Sequence, residues 1–161
     1  MHRRPREAAT LHERALSLNP HLAMAWALSG ITCAYIGDLD EAERRSDRYK
    51  RLSPRDPHAF AFDGFAAVIR LLKHDHEAAV AMGRAASEMN PSFSATYKPY
   101  LAALGHLGRT REAEAVLGRL LAIEPEFAID RFIAKSPFER GSDRAHYAEG
   151  LRLAGAPHSP A

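Results

Sequence analysis

The stretch NPHLAMAWALSGITCAYIGDLDEAERRSDRYKRLSP, Asn19–Pro54, decides the fold. An apolar-periodic run from Leu22 to Tyr35 carries Trp26 and Gly30 and breaks at Gly37-Asp38; a second run from Leu39 to Leu52 stops at Pro54. Apolar residues at helical spacing, a glycine free to take positive φ and a closing proline give helix, tight turn, helix, stop. Working outward, Pro20, Pro54, Pro91 and Pro125 stand 34, 37 and 34 residues apart. Twelve residues before each stands an alanine: Ala8, Ala42, Ala79 and Ala113. Another twelve back, where the chain reaches, stand Gly30, Ala67 and Leu101. One helical hairpin per period predicts a stacked repeat in which each hairpin covers its neighbour's apolar side.

This register divides residues 1–161, read as a single domain, into a half repeat (5–20), repeats at 22–54, 57–91 and 93–125, a degenerate half repeat with a cap helix (127–155), and a tail (156–161). Helix 5–18 begins at Pro5, whose missing N–H would have had no partner there. It is the second helix of a repeat whose first is missing, so the chain is expected to start inside an array or to be part of a longer protein. Its under-covered outer face is one that self-association would hide. The first full hairpin spans 22–36 and 39–52, with Gly30 and Ala42 allowing close approach. Three extra residues within Ser53-Pro54-Arg55-Asp56-Pro57 are expected to add a turn to the next helix, with Asp56 the N-cap and Pro57 the first helical residue of 57–73. Its partner is expected at 75–89. Helix 93–107 contains Pro99, which costs roughly 3 kcal/mol in a helix interior and predicts a bend. Residues 110–123 complete that hairpin. Beyond Pro125 the period fails. A short helix at 127–134 is stopped by Ser136-Pro137, and a last helix from Ser142 to Leu153 is expected to cover the open end of the stack. The tail His158-Ser159-Pro160-Ala161 is expected to fray.

The bulk numbers fit a globular chain. Apolar residues make up 46% and charged residues 26% of 161, and 22 Lys+Arg against 20 Asp+Glu leave +2. That balance gives no electrostatic case for nucleic acid or an anionic membrane. The one basic cluster, His2-Arg3-Arg4-Pro5-Arg6, is short and reads as a solvated helix start. The single cysteine, Cys33, permits no internal disulfide, fits a reducing compartment, and falls on a packing face as an inert thiol. No apolar run reaches the roughly 18 residues that span a bilayer, and no signal-peptide h-region opens the chain. A cytoplasmic location is expected.

Trp26, Gly30, Ala42 and Pro54 occupy offsets 4, 8, 20 and 32 of a 34-residue unit. In these residues the chain resembles the tetratricopeptide repeat family over about residues 5–134. In later repeats Asp63 and Tyr97 stand where tryptophan is usual, and Ala67 and Leu101 replace the glycine. Leu52-Ser53-Pro54-Arg55-Asp56-Pro57, Met89-Asn90-Pro91 and Gly150-Leu151-Arg152-Leu153-Ala154-Gly155 resemble the C-terminal repeat region of bacterial adenylate-cyclase-like and winged-helix regulatory proteins. The resemblance implies an all-α, right-handed α-α superhelix, a tetratricopeptide-like solenoid of antiparallel helical hairpins with a C-terminal capping helix.

It also implies a non-catalytic module that binds a protein or peptide in a concave groove, in bacterial signalling or regulation. The groove positions of the family fall on Met24, Ala27, Ile31, Ala34 and Tyr35, then Ala61, Gly64, Val68, Leu71 and Leu72, then Ala95, Lys98, Ala102, Gly105 and His106. Met24, Ala27, Ile31, Tyr35, Gly64, Val68, Leu71, Lys98, Ala102 and His106 are taken as the candidates. The wall is small and apolar with one cation. Family members that clamp a chaperone's acidic tail carry basic and amide residues where this chain has Ala27/Ile31, Gly64/Val68 and Lys98/Ala102, so that partner is rejected. The plain competing reading is that these residues are packed core; as a set they suit an apolar peptide face.

Nine histidines raise the question of a metal. His74-Asp75-His76 places two imidazoles and a carboxylate in one turn, but zinc takes three or four converging ligands and the adjacent sequence adds only Glu77. Neighbours in a turn are expected to point apart, with His74 replacing the turn glycine and Asp75 capping the next helix. No metal or cofactor is therefore expected. Neither a glycine-rich phosphate loop, a G-x-S-x-G elbow nor an H-E-x-x-H helix occurs. Asp38, Asp40, Glu41 and Glu43 crowd a helix start, where dipole complementarity explains them, and Arg109, Arg111 and Arg119 read as solvated faces. Two rivals remain beside the interaction module. One is a dimerisation element working through the uncovered first helix; the other is a metal protein or enzyme with a polar pocket around His74, His76 or His106.

Overall fold

The computed structural model describes residues 4–159. His2 and Arg3 of the basic cluster, and Pro160 and Ala161 of the tail, lie outside the described residues. Nine helices and no strand occur among those described: α1 Pro5–Leu18, α2 Ala23–Ile36, α3 Leu39–Leu52, α4 Ala59–Leu72, α5 His76–Met89, α6 Ser94–His106, α7 Thr110–Ile123, α8 Ile129–Lys135 and α9 Gly141–Leu153. The chain forms two compact units. One comprises residues 1–57 with 137–141; the other comprises 58–136 with 142–161.

Within the hairpins the turns repeat one hydrogen-bond pattern. The N–H groups of Asp38, Asp75 and Arg109 donate to the carbonyls of Cys33, Arg70 and Leu104, five residues back. Those of Gly37, His74 and Gly108 donate three residues back, to Ala34, Leu71 and Gly105. This closes the helix C-terminus with one residue in the left-handed region. Gly37, His74 and Gly108 fill that place at φ 93°, 61° and 66°. The next helix is then capped by Asp38, whose Oδ1 accepts from Glu41 N at 3.2 Å, and by Asp75, whose Oδ1 accepts from Ala78 N at 3.3 Å.

Between repeats a second turn recurs. Leu22, Phe93 and Phe127 donate their N–H to the carbonyls of Asn19, Asn90 and Glu124, with Pro20, Pro91 and Pro125 inside each turn. Proline fixes the φ that such a turn needs at its second residue. Residues 53–58 depart from this. The helix resumes only at Ala59, after His58, which makes no side-chain cap. The three extra residues therefore lengthen the connection, correcting the expectation that Asp56 caps a helix begun by Pro57. Pro99 lies inside α6, which starts at Ser94.

In the first unit α2 packs on both α1 and α3. Ala42 and Tyr49 on α3 and Ala34 on α2 are essentially inaccessible. A Cβ at Gly30 would sit 3.2 Å from the Ala42 carbonyl oxygen, so the two helices approach at the small-residue pair read from the sequence. The segment 137–141 belongs to this unit: Glu139 N donates to Tyr35 O at 2.8 Å, and the Phe138 ring meets Tyr35 edge-on at 5.3 Å between centroids.

In the second unit α5 packs on α4 and α6, α6 on α7, and α4 directly on α6, so first helices of successive repeats touch. Ala67, Ala79, Leu101, Ala113 and Leu120 form the buried seam. Residues 157–159 are held, where fraying was expected from His158 on. Ile129 N donates to Pro157 O at 2.9 Å, Asp130 N to His158 O at 3.0 Å, and Ser159 Oγ to Asp130 Oδ2 at 2.9 Å. These bonds satisfy otherwise orphaned N–H groups at the start of α8.

Candidate functional site

Two regions carry the functional question: the apolar wall and a cluster of four histidines. On the wall, Met24 is 43% exposed, Ile31 and Tyr35 are half-buried and Ala27 is buried. Leu28, one turn from Met24 and not among the sequence candidates, is 41% exposed. Met24, Leu28, Ile31 and Tyr35 follow helical spacing and form one stripe along α2.

The second unit treats its wall positions differently. Gly64 is buried, and a Cβ there would lie 2.9 Å from Thr96 Cγ2 on α6. Val68, Leu71 and Ala102 are buried. Lys98 is ion-paired to Glu124 at 2.8 Å and lies 5.4 Å from the centroids of both Phe127 and Phe132. The third-repeat face is occupied by α9. A Cβ at Gly105 would run into the Gly150 carbonyl, and one at Gly150 would meet the Ala102 carbonyl and the His106 ring. Only a residue without a side chain on each helix allows this backbone-to-backbone approach.

The docking of α9 assembles the cluster. His74 comes from the α4–α5 turn, His76 from the first position of α5, His106 from the end of α6 and His146 from α9. Ring centroids of His74 and His146 are 4.0 Å apart; His106 stacks on His146 at 4.1 Å and 9°, and His76 on His106 at 4.6 Å and 13°. His76 Nε2 and His146 Nε2 are 3.2 Å apart. His146 Nε2 also lies 3.2 Å from Leu71 O, and His106 Nε2 donates to the His146 carbonyl at 3.0 Å. Ring nitrogens of His74, His76 and His146 all fall within 4.8 Å of one another. Burial and the neighbouring imidazoles of His106, His74 and His76 push His146 down to about 4, and burial with His106 and His74 lowers His76. Both rings are thus held neutral near pH 7, the form that offers a lone pair.

This corrects the expectation that His74 and His76 diverge with only Glu77 to join them. The further imidazole comes from 70 residues away along the chain. His146 lies in the part that breaks the period, so no register related it to His76; the His74 ring lies 4.0 Å from that of His146 on α9. Two smaller readings hold: His74 takes the turn position, and Asp75 caps α5. Cys33 is half-buried, and burial raises its thiol above the ordinary value, which keeps it a poor nucleophile.

Neighbouring the cluster's turn, an ion-pair network joins α5, α6 and α7. Tyr100 donates its hydroxyl to Glu112 Oε1 at 2.7 Å, Arg84 pairs with the same carboxylate, and Arg109 bridges Glu112 at 2.6 Å and Glu77 at 3.2 Å. Arg109 therefore serves a network and is not merely a solvated face. Among the described residues no helix is long and apolar enough to cross a membrane.

No family model and no curated protein matches the chain. Among solved structures, the crystal structure of MamA is similar with a TM-score of 0.65 and 16% identity, over 91% of this chain and 84% of that one. Together with the helix order above, this establishes an all-α fold of tetratricopeptide-like helical hairpins packed in sequence order.

Proposed function

We propose that the chain is a non-catalytic protein-interaction module that receives an apolar face of a partner peptide on α2. The observation that carries this reading is the stripe Met24, Leu28, Ile31 and Tyr35, whose first two members are 43% and 41% exposed. Apolar side chains at helical spacing on an open face suit an amphipathic partner helix, which supplies the burial that water denies. Three of the other candidate positions, Leu71, Ala102 and His106, meet the chain's own α9. A bacterial signalling or regulatory setting in the cytoplasm is supported by the resemblance of the repeat segments to cyclase-like and winged-helix regulators, and by the single cysteine. Selection of displayed peptides against the wild type and against Met24→Glu/Leu28→Glu tests the reading. Apolar helical peptides that bind the wild type and not the variant support it; equal binding to both overturns it.

A second reading has its own observation. Leu11 and Leu18, two turns apart on α1, are 67% and 80% exposed, and burying such a pair across a two-fold axis would drive dimerisation. Light scattering over a dilution series, repeated with Leu11→Glu/Leu18→Glu, decides it. A dimer abolished by the charges supports self-association through α1, and a concentration-independent monomer removes it.

A further inference from the structure

We propose that His74, His76 and His146 bind one divalent transition-metal ion of the zinc class, which staples α9 to the α4–α5 turn. The inference is independent of the peptide surface on α2. Three observations carry it. First, the ring nitrogens of the three residues converge within 4.8 Å, and His76 Nε2 to His146 Nε2 is 3.2 Å. The edge of a tetrahedron with metal–nitrogen bonds of 2.0–2.1 Å is about 3.3 Å, so this pair already has the spacing of two ligands on one ion.

Second, His74 is the one non-glycine residue with positive φ among those described, at the turn place that Gly37 and Gly108 fill elsewhere. A side chain there is disfavoured relative to the right-handed region, and glycine would avoid it. A disfavoured backbone conformation at a side chain that meets a cluster of imidazoles points to a functional position.

Third, His106 braces the site without supplying a ligand. Its Nε2–H donates to the His146 carbonyl, and its ring stacks on both His146 and His76. It is a positioning residue. His146 Nε2, which donates to Leu71 O when no ion is bound, must present its lone pair, so the proton moves to Nδ1 and the bond to Leu71 is exchanged for the metal bond. Imidazole donors select zinc, cobalt, nickel or copper over the hard cations. Three ligands leave the fourth tetrahedral position to water, on the exposed His74 side.

The test uses tag-free full chain, stripped with EDTA and titrated with zinc against a chromophoric chelator, with cobalt(II) as a spectroscopic substitute. The expected result is one zinc per chain, intense visible bands from tetrahedral cobalt(II), and slower amide exchange in α9 on zinc addition. His146→Gln is expected to weaken binding at least about 100-fold and His106→Gln about tenfold, in the range for groups that orient ligands. His21→Gln, outside the cluster, should leave binding unchanged. His74→Gly supplies the folding control: the stripped variant should melt at or above the wild type while losing at least tenfold in affinity. Sub-stoichiometric zinc, octahedral cobalt(II) spectra, or wild-type affinity in His74→Gly/His146→Gln overturns the proposal and leaves an adventitious ion only.

Discussion

Trp26 and Tyr97 show how far a repeat position constrains chemistry. Trp26 Nε1–H donates to Pro20 O at 2.9 Å, and the Tyr97 hydroxyl donates to Pro91 O at 2.9 Å. Tyrosine thus replaces tryptophan because both reach the same carbonyl from the same helical place, six residues on. Tyr97 is 2% exposed, so Tyr97→Phe leaves its acceptor without that donor. A loss of about 1 kcal/mol is expected in denaturant unfolding. A similar equivalence made His74 readable as a turn residue from sequence. Its role in a cluster was not readable, because a side chain's direction into a distant helix depends on where that helix docks.

At the scale of elements, periodic apolar residues and punctuating prolines were sufficient to locate the helices from Pro5 to Ile123 within a residue or two. Pattern reading erred at Asp56-Pro57 because Asp-Pro is both a helix-start signal and a turn signal, and only packing chooses between them. It erred at His158-Ser159 because the bonds that hold the tail to α8 are tertiary. The α6–α9 contact was equally hidden: Gly105 and Gly150 matter as a pair, and neither is unusual alone. Gly150→Ala drives a methyl into the Ala102 carbonyl and the His106 ring, and thermal unfolding should show a loss of about 1–3 kcal/mol. The α5–α6–α7 network predicts a pH effect. The Tyr100 hydroxyl, then Arg84 and Arg109, hold Glu112 below the ordinary carboxylate value of 4.5. Its contribution is complete above that value and lost as pH falls through the lower folded one, since the unfolded chain then binds more protons. Unfolding free energy should therefore fall more steeply with acid below about pH 4.5 in the wild type than in Glu112→Gln, as read from denaturant midpoints across a pH series.

For the whole molecule, one recurring arrangement serves two ends. In the first unit Met24 and Leu28 of the α2 stripe are open to solvent; in the second Ala102, Gly105 and His106 on α6 are met by α9. Sequence gave both sets the same standing, since small apolar residues at helical spacing look alike whether they face a partner or the chain's own cap. The distinction emerged from burial: Ile31 is half-buried, whereas Ala102 at the same repeat position is fully buried. Hydrogen–deuterium exchange of the tag-free chain, with and without a peptide selected on the wild type, tests the central claim most directly. Slowed exchange confined to residues 23–36 is the expected result. Protection centred on any other helix, or none at saturating peptide, would contradict it.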